Sequence, residues 1–171
     1  MTAKSLLLGA GNDRRKKVAL ESAPNWFGEL VTVDMNPDCG ANVVWDLDVR
    51  PLPFEDEEFD ELAAYDVLEH LGRQGDWRGF LDEFSEYWRI LKPGGIFGIL
   101  VPIGRDSLAD PGHTRFFDAS YFRFLDQEWY AQELAAKRAV TDYRWYYKRS
   151  FKTRVLQVIG DHHLGVVLEK V

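Results

Sequence analysis

The chain carries one cysteine, Cys39, so it closes no internal disulfide, and without companion thiols it is a poor metal site; a reducing, cytoplasmic setting is expected. No apolar run approaches the ~20 residues needed to cross a bilayer. Leu6 to Leu8 supply only three apolar residues before glycine intervenes, which predicts no export signal. A basic excess is missing too. With 28 acidic and 21 basic residues the net charge is −7, which argues against broad electrostatic attraction to nucleic acid. Internal repeats, low-complexity tracts and long Gly/Ser/Pro linkers are absent, so residues 1–171 are expected to form a single domain around one core.

What is present is an alternation. Short apolar strands are expected at 5–8, 29–33, 41–45, 61–65 and 96–101, with helices at 12–22, after Tyr65 and at 76–91. In the last of these, Trp77, Phe80, Leu81, Phe84, Trp88 and Leu91 recur at three- and four-residue spacing and line one face. Lys92-Pro93-Gly94-Gly95 then ends it, since proline cannot continue a helix and glycine accepts a left-handed turn. Near-continuous apolar strands between helices predict an α/β fold: a doubly wound, mostly parallel sheet with helices on both faces. The final third reads as a helix over 118–136, extended segments at 140–148 and 153–159, a Gly160-Asp161 turn and a strand over 165–171, hence a closing C-terminal antiparallel hairpin.

In such sheets the ligand crevice lies at the carboxyl ends of the strands. Gly9 and Gly11 end the first strand, where missing Cβ atoms let a ligand approach the backbone. Asp34 ends the second strand 23 residues after Gly11, in position to accept two hydrogen bonds from a ribose diol. Together they favour a nucleoside-bearing cofactor. A third glycine, expected for a pyrophosphate, is replaced by Asp13, whose charge disfavours a dinucleotide.

The stretches "LLLGAGN", "VTVDMNP", "VVWDLD", "LPFEDEEFDELAAYDVLEHL" and "ILKPGGIF" occur in the order shown by class I S-adenosylmethionine-dependent methyltransferases, and the chain resembles most the compact stand-alone predicted methyltransferases of bacteria and phages. The resemblance implies a Rossmann-like fold with S-adenosylmethionine as cofactor. Gly9, Ala10 and Gly11 would wrap its methionine part, Asp34 would hold the ribose hydroxyls, and Met35 would lie against the adenine. Asp46 and Leu47 would meet the adenine edge, and Tyr65 and Asp66 would lie near the methionine moiety and the transferring methyl.

Methyl transfer from a sulfonium is an in-line displacement that positioning alone can accelerate, with a base helping when the acceptor is a hydroxyl or carboxyl. Glu69 and His70 follow the fourth strand at the mouth of such a site, and His113 falls in the irregular stretch "DSLADPGHTRFF"; these three are the candidate catalytic residues. Structural roles compete: Glu69 as a first-turn acid, His70 as a polar cap, His113 as a solvated loop residue. Arg115 is placed to grip an anionic acceptor or to serve as a surface cation. The basic strip 137–154 holds seven cations, one acid and several aromatics, a mixture that suits nucleic acid or, as the preferred reading, an aromatic sheet edge with solvated cations. The motifs of DNA base methyltransferases are absent. No metal is expected, since His162-His163 reads as a solvent-exposed turn. The expected function is methylation of a small-molecule, glycan or nucleotide-like acceptor. A catalytically silent cofactor- or partner-binding module is the alternative, and an NAD-dependent oxidoreductase a weaker one.

Overall fold

The computed structural model describes residues 3–18, 20 and 25–171. β1 (Lys4–Leu8), β2 (Glu29–Asp34), β3 (Val43–Val44), β4 (Phe59–Tyr65) and β5 (Leu91–Pro102) form a parallel array. The closing hairpin, β6 (Phe151–Ile159) and β7 (His163–Lys170), adds antiparallel strands, giving the order β3-β2-β1-β4-β5-β7-β6. The reversal of direction on either side of β1 and β4 is where a doubly wound sheet opens its crevice. This is the doubly wound, mostly parallel architecture with a C-terminal antiparallel hairpin that the alternation predicts, and the Rossmann-like fold that the resemblance implies.

Register sets which residue faces which layer. Leu6 pairs with Val31 and Leu62, Leu62 with Phe97, and Phe97 with Leu168, so alternate residues of the central strands share one face. That face takes Leu81, Phe84, Tyr87 and Ile90 from α1 (Trp77–Ile90), together with Phe122 and Leu125 of the 3-10 turn Ala119–Leu125. Asp76 caps α1 by accepting from the Gly79 N–H at 3.0 Å. The opposite face, with Leu7, Ala63, Tyr65, Leu100 and Val167, packs against Val18, Leu20, Trp26 and Phe27.

That second face differs from expectation, because residues 12–18 form no helix; Ala19, Glu21 and Ser22, which complete the expected 12–22 segment, lie outside the described residues. Side chains have taken the groups a first turn needs. The Arg14 guanidinium donates to the carbonyls of Ala10 (2.8 Å) and Gly11, and the Arg15 N–H donates to the Asp13 carboxylate at 3.0 Å instead of to Gly11. Lys16 is drawn inward, its Nζ 2.5 Å from the fully buried Glu61. Likewise, only a 3-10 turn, Leu68–His70, follows β4 where a helix is expected.

Two further segments depart from their patterns. The helix expected over 118–136 breaks at Asp126, whose carboxylate accepts from the N–H groups of Glu128 and Trp129 and starts a separate α2 (Gln127–Ala135). Residues 140–148 form no strand. Tyr143 and Tyr146 pack instead on Trp77, at ring separations of 4.8 and 5.2 Å, and the N–H groups of Tyr146 and Tyr147 both donate to the Tyr143 carbonyl. Aromatics three apart face one partner by turning, whereas a strand would send them to opposite sides. No helix among the described residues is long and apolar enough to cross a membrane.

Candidate cofactor and acceptor site

The carboxyl ends of β1 to β4 meet at one rim. Gly9 and Gly11 both adopt left-handed backbone, with φ of 59° and 47°. At Gly9 a Cβ would stand 2.1 Å from a Val67 methyl, so glycine is required where β1 passes the exit of β4. At Gly11 a Cβ would meet nothing within 4 Å, which marks the open side of the turn. The Gly11 N–H donates to one oxygen of Asp34 at 2.8 Å, and the Asn36 N–H donates to the other at 2.8 Å. Ala10 is tied to β2 through its N–H and the Val33 carbonyl. Glycine turn and carboxylate therefore face each other, as their spacing predicts.

The neighbouring residues complete the rim. Met35 is 69% exposed beside Asp34. The Trp45 N–H donates to the Asp34 carbonyl at 2.9 Å, which brings Asp46 and the buried Leu47 alongside; the Asp46 carboxylate accepts from the Asp48 N–H. Tyr65 turns to the second sheet face, where its hydroxyl donates to the Val18 carbonyl at 3.1 Å and accepts from the Val18 N–H at 3.4 Å. Burial pushes its hydroxyl up to about 12, with the nearby Glu61 charge acting in the same direction. Asp66 is a non-glycine residue with φ 56°, and its carboxylate lies 3.2 Å from Lys17 Nζ and 2.9 Å from His163 Nε2.

A group with a ribose, an amino-acid end and a cationic sulfur suits this rim. Each Asp34 oxygen accepts one main-chain N–H and keeps a free lone pair for a ribose hydroxyl. The Gly11 turn is open on its ligand side, and the Lys17–Asp66 pair offers opposite charges to an ammonium and a carboxylate. Arg14, bonded to the carbonyls of Ala10, Gly11 and Cys39, fixes the turn to the loop after β2.

A cleft of about 640 Å³ opens next to Asp66 and gathers the three candidate catalytic residues. The N–H groups of Thr114 and Arg115 donate to the Glu69 carbonyl at 2.9 and 3.1 Å, which draws the loop after β5 back over the turn after β4. His113 Nε2 then stands 3.9 Å from Glu69 Oε1, and the His70 and His113 rings meet edge to face at 4.7 Å. Glu69 is 1% exposed, and its Oε2 has no hydrogen-bond partner among the described residues. Burial pushes its carboxyl up to about 7, with the charges of Asp66 and Asp110 adding to the rise and His113 opposing it.

Two residues stand elsewhere than the sequence suggests. Arg115 leaves the cleft for the core, where it donates to Glu83 at 2.7 Å and to the Leu71 carbonyl at 2.5 Å, so it does not face the cleft of Glu69. His163 lines the cleft against Asp66 instead of standing in an exposed turn. The signal for it lay in pairing: in an antiparallel β7 beside β5, His163 falls opposite Pro102 at the strand's carboxyl end.

Comparison with known proteins agrees with this geometry. Residues 8–99, more than half of the chain and spanning the glycine turn to β5, match the family described as a methyltransferase domain. A probable S-adenosylmethionine-dependent methyltransferase of Mycolicibacterium smegmatis is 35% identical over 75 residues, which cover 40% of this chain and only 27% of that protein. A SAM-dependent methyltransferase of Archaeoglobus fulgidus superposes with TM-score 0.61 at 17% identity, covering 98% of this chain and 86% of that one. The Burkholderia thailandensis 1,6-didemethyltoxoflavin-N1-methyltransferase, solved with 1,6-didemethyltoxoflavin and S-adenosylhomocysteine, gives 0.54 at 16% identity over 99% and 71%. From the paired rim of Gly11 and Asp34 and from this match, the chain belongs to the methyltransferase-domain family of class I S-adenosylmethionine-dependent methyltransferases.

Proposed function

We propose that the protein transfers a methyl group to a small-molecule, glycan or nucleotide-like acceptor held in the cleft of Glu69, His70 and His113. The observation that carries this reading is the apposition of Gly11 N–H and Asp34 carboxylate at 2.8 Å on a rim that continues into that cleft through Asp66. S-adenosylmethionine supplies an electrophilic methyl on sulfur, which an acceptor lone pair takes in line while the carbon–sulfur bonding pair leaves to sulfur. In this reading Gly9, Ala10 and Gly11 border the methionine part, and Asp34 holds the ribose diol. Met35, Asp46 and Leu47 border the adenine, and Lys17 and Asp66 orient the amino-acid end. Tyr65 braces that end by fixing Val18. Glu69, His70 and His113 face the acceptor's nucleophilic atom and govern the proton it sheds to solvent. Much of the acceleration comes from holding the two reacting atoms in line and apart from water.

Calorimetric titration of the folded protein with S-adenosylmethionine tests the cofactor half. One equivalent bound supports it, and no heat at high micromolar protein refutes it. Turnover with a panel of hydroxyl, carboxyl and amine acceptors, read as S-adenosylhomocysteine released, tests the second half.

A further inference from the structure

The three cleft residues share a property that acid–base chemistry does not require. Among the described residues, Glu69, His70 and His113 form a group of potential ligands in which one atom from each lies within 4.8 Å of the others. His70 Nδ1 is 3.2 Å from the Gly112 carbonyl and His113 Nδ1 is 3.0 Å from the Ser107 carbonyl. A carbonyl oxygen only accepts, so both Nδ1 atoms carry a proton, and in the neutral rings both Nε2 atoms present a lone pair. This is the outer-shell arrangement that fixes ligating histidines. His113 Nε2 and Glu69 Oε1, 3.9 Å apart, are too distant to share a hydrogen. They need close by less than about 1 Å to reach the spacing of two ligands on one zinc ion with bonds of ~2.0–2.2 Å. Glu69 is itself nearly sealed from solvent with Oε2 unpartnered, a costly state for a carboxylate unless something positive meets it.

We propose that Glu69, His70 and His113 bind one divalent transition-metal ion of the zinc type, leaving an open coordination position toward the cleft. Two imidazoles and one carboxylate select such an ion over magnesium or calcium, which take oxygen ligands. Three protein ligands with an open fourth position match catalytic rather than structural zinc sites. The ligands come from separate supports: Glu69 and His70 sit on the turn after β4, and His113 sits on the loop that Thr114 and Arg115 tie to the Glu69 carbonyl. That an acceptor oxygen fills the fourth position rests on the methyl-transfer reading; the ion site does not.

The test is calorimetric titration of chelator-treated protein with zinc chloride alone, with magnesium chloride as comparison, and visible absorption after cobalt(II) addition. One zinc equivalent, no competing magnesium heat and the strong visible bands of four-coordinate cobalt are expected. His113→Ala and the exposed-ring variant His70→Ala should each weaken zinc at least ~100-fold, beyond the ~10–100-fold typical of losing an outer-shell partner. His162→Ala should leave binding unchanged. Native circular dichroism without zinc heat, or His70→Ala and His113→Ala proteins that are folded and bind as the parent does, overturns the proposal. S-adenosylmethionine titrated into the metal-free protein reads the cofactor site separately, so failure there counts against the methyl-transfer reading and leaves the ion site standing.

Discussion

The main-chain N–H of Gly11 and the carboxylate of Asp34 meet at 2.8 Å across two adjacent strand ends. The same carboxylate takes the Asn36 N–H on its second oxygen, so one side chain holds the glycine turn open and keeps lone pairs for a ribose. Asp34→Ala removes a charged acceptor from the ligand. Hydrogen bonds to charged groups contribute about 1.5–3 kcal/mol, so S-adenosylmethionine affinity should fall ~10–150-fold. The two main-chain donors can turn to water, and urea unfolding should register a loss of only about 1–2 kcal/mol. Unchanged affinity in calorimetry would show that the carboxylate serves the loop alone.

Gly9 and Gly11 should separate folding from binding. Both have left-handed backbone, which costs another residue roughly 1–2 kcal/mol. Gly9→Ala adds a clash with Val67 at 2.1 Å, and overpacking of that kind costs a further ~1–3 kcal/mol. Gly11→Ala meets no protein atom within 4 Å. The expected result is a large drop in melting temperature for Gly9→Ala, against a small one with weakened cofactor binding for Gly11→Ala. Equal melting temperatures would contradict the assigned packing.

How much of this was legible beforehand follows from which forces act locally. The strands and α1 could be read because burial imposes a period, as the row from Trp77 to Trp88 shows. The glycine turn and Asp34 could be placed because strand ends are where a parallel sheet gathers its ligands. The helix over 12–22 could not be refused from pattern alone, since its loss depends on Arg14 reaching the carbonyls of Ala10 and Gly11 and on Lys16 finding Glu61, a partner 45 residues away. Glu69 is legible as an acid in the short segment that follows β4. That His113 comes to it depends on two main-chain hydrogen bonds to its carbonyl, and that Arg115 turns away depends on Glu83 on α1.

Arg115 and Glu83 should behave as a structural pair. Glu83 is fully buried and receives Arg115 at 2.7 Å, the Tyr87 hydroxyl at 3.1 Å and the more exposed Arg50 at 3.4 Å. Breaking a buried pair from one side typically costs ~3–5 kcal/mol, because a charge is left without its partner. Arg115→Ala should therefore destabilise more than Arg50→Ala. Combining Arg115→Met with Glu83→Leu should recover part of the loss, because no fully buried charge is left without its partner and the more exposed Arg50 can turn to water. Denaturant melts of the four proteins check the order, and a double variant no better than Arg115→Ala would show that packing and not charge governs the site.

Asp66 sets backbone strain against function. Its φ of 56° is a conformation that glycine and asparagine adopt most readily, yet the chain places there a carboxylate that meets Lys17 and His163. Partly exposed pairs of this kind contribute about 0–1 kcal/mol each, similar to the strain a glycine relieves. Asp66→Gly and Asp66→Asn should thus melt within a few degrees of the parent. Both lose the charge proposed to orient the amino-acid end of the cofactor. Affinity for S-adenosylmethionine should fall about tenfold, the equivalent of ~1.4 kcal/mol. The ribose end supplies an internal control: adenosine lacks the amino-acid end, so its binding should be indifferent to both substitutions. Parallel losses for adenosine and S-adenosylmethionine would mean that Asp66 shapes the whole rim and does not select one end of the ligand.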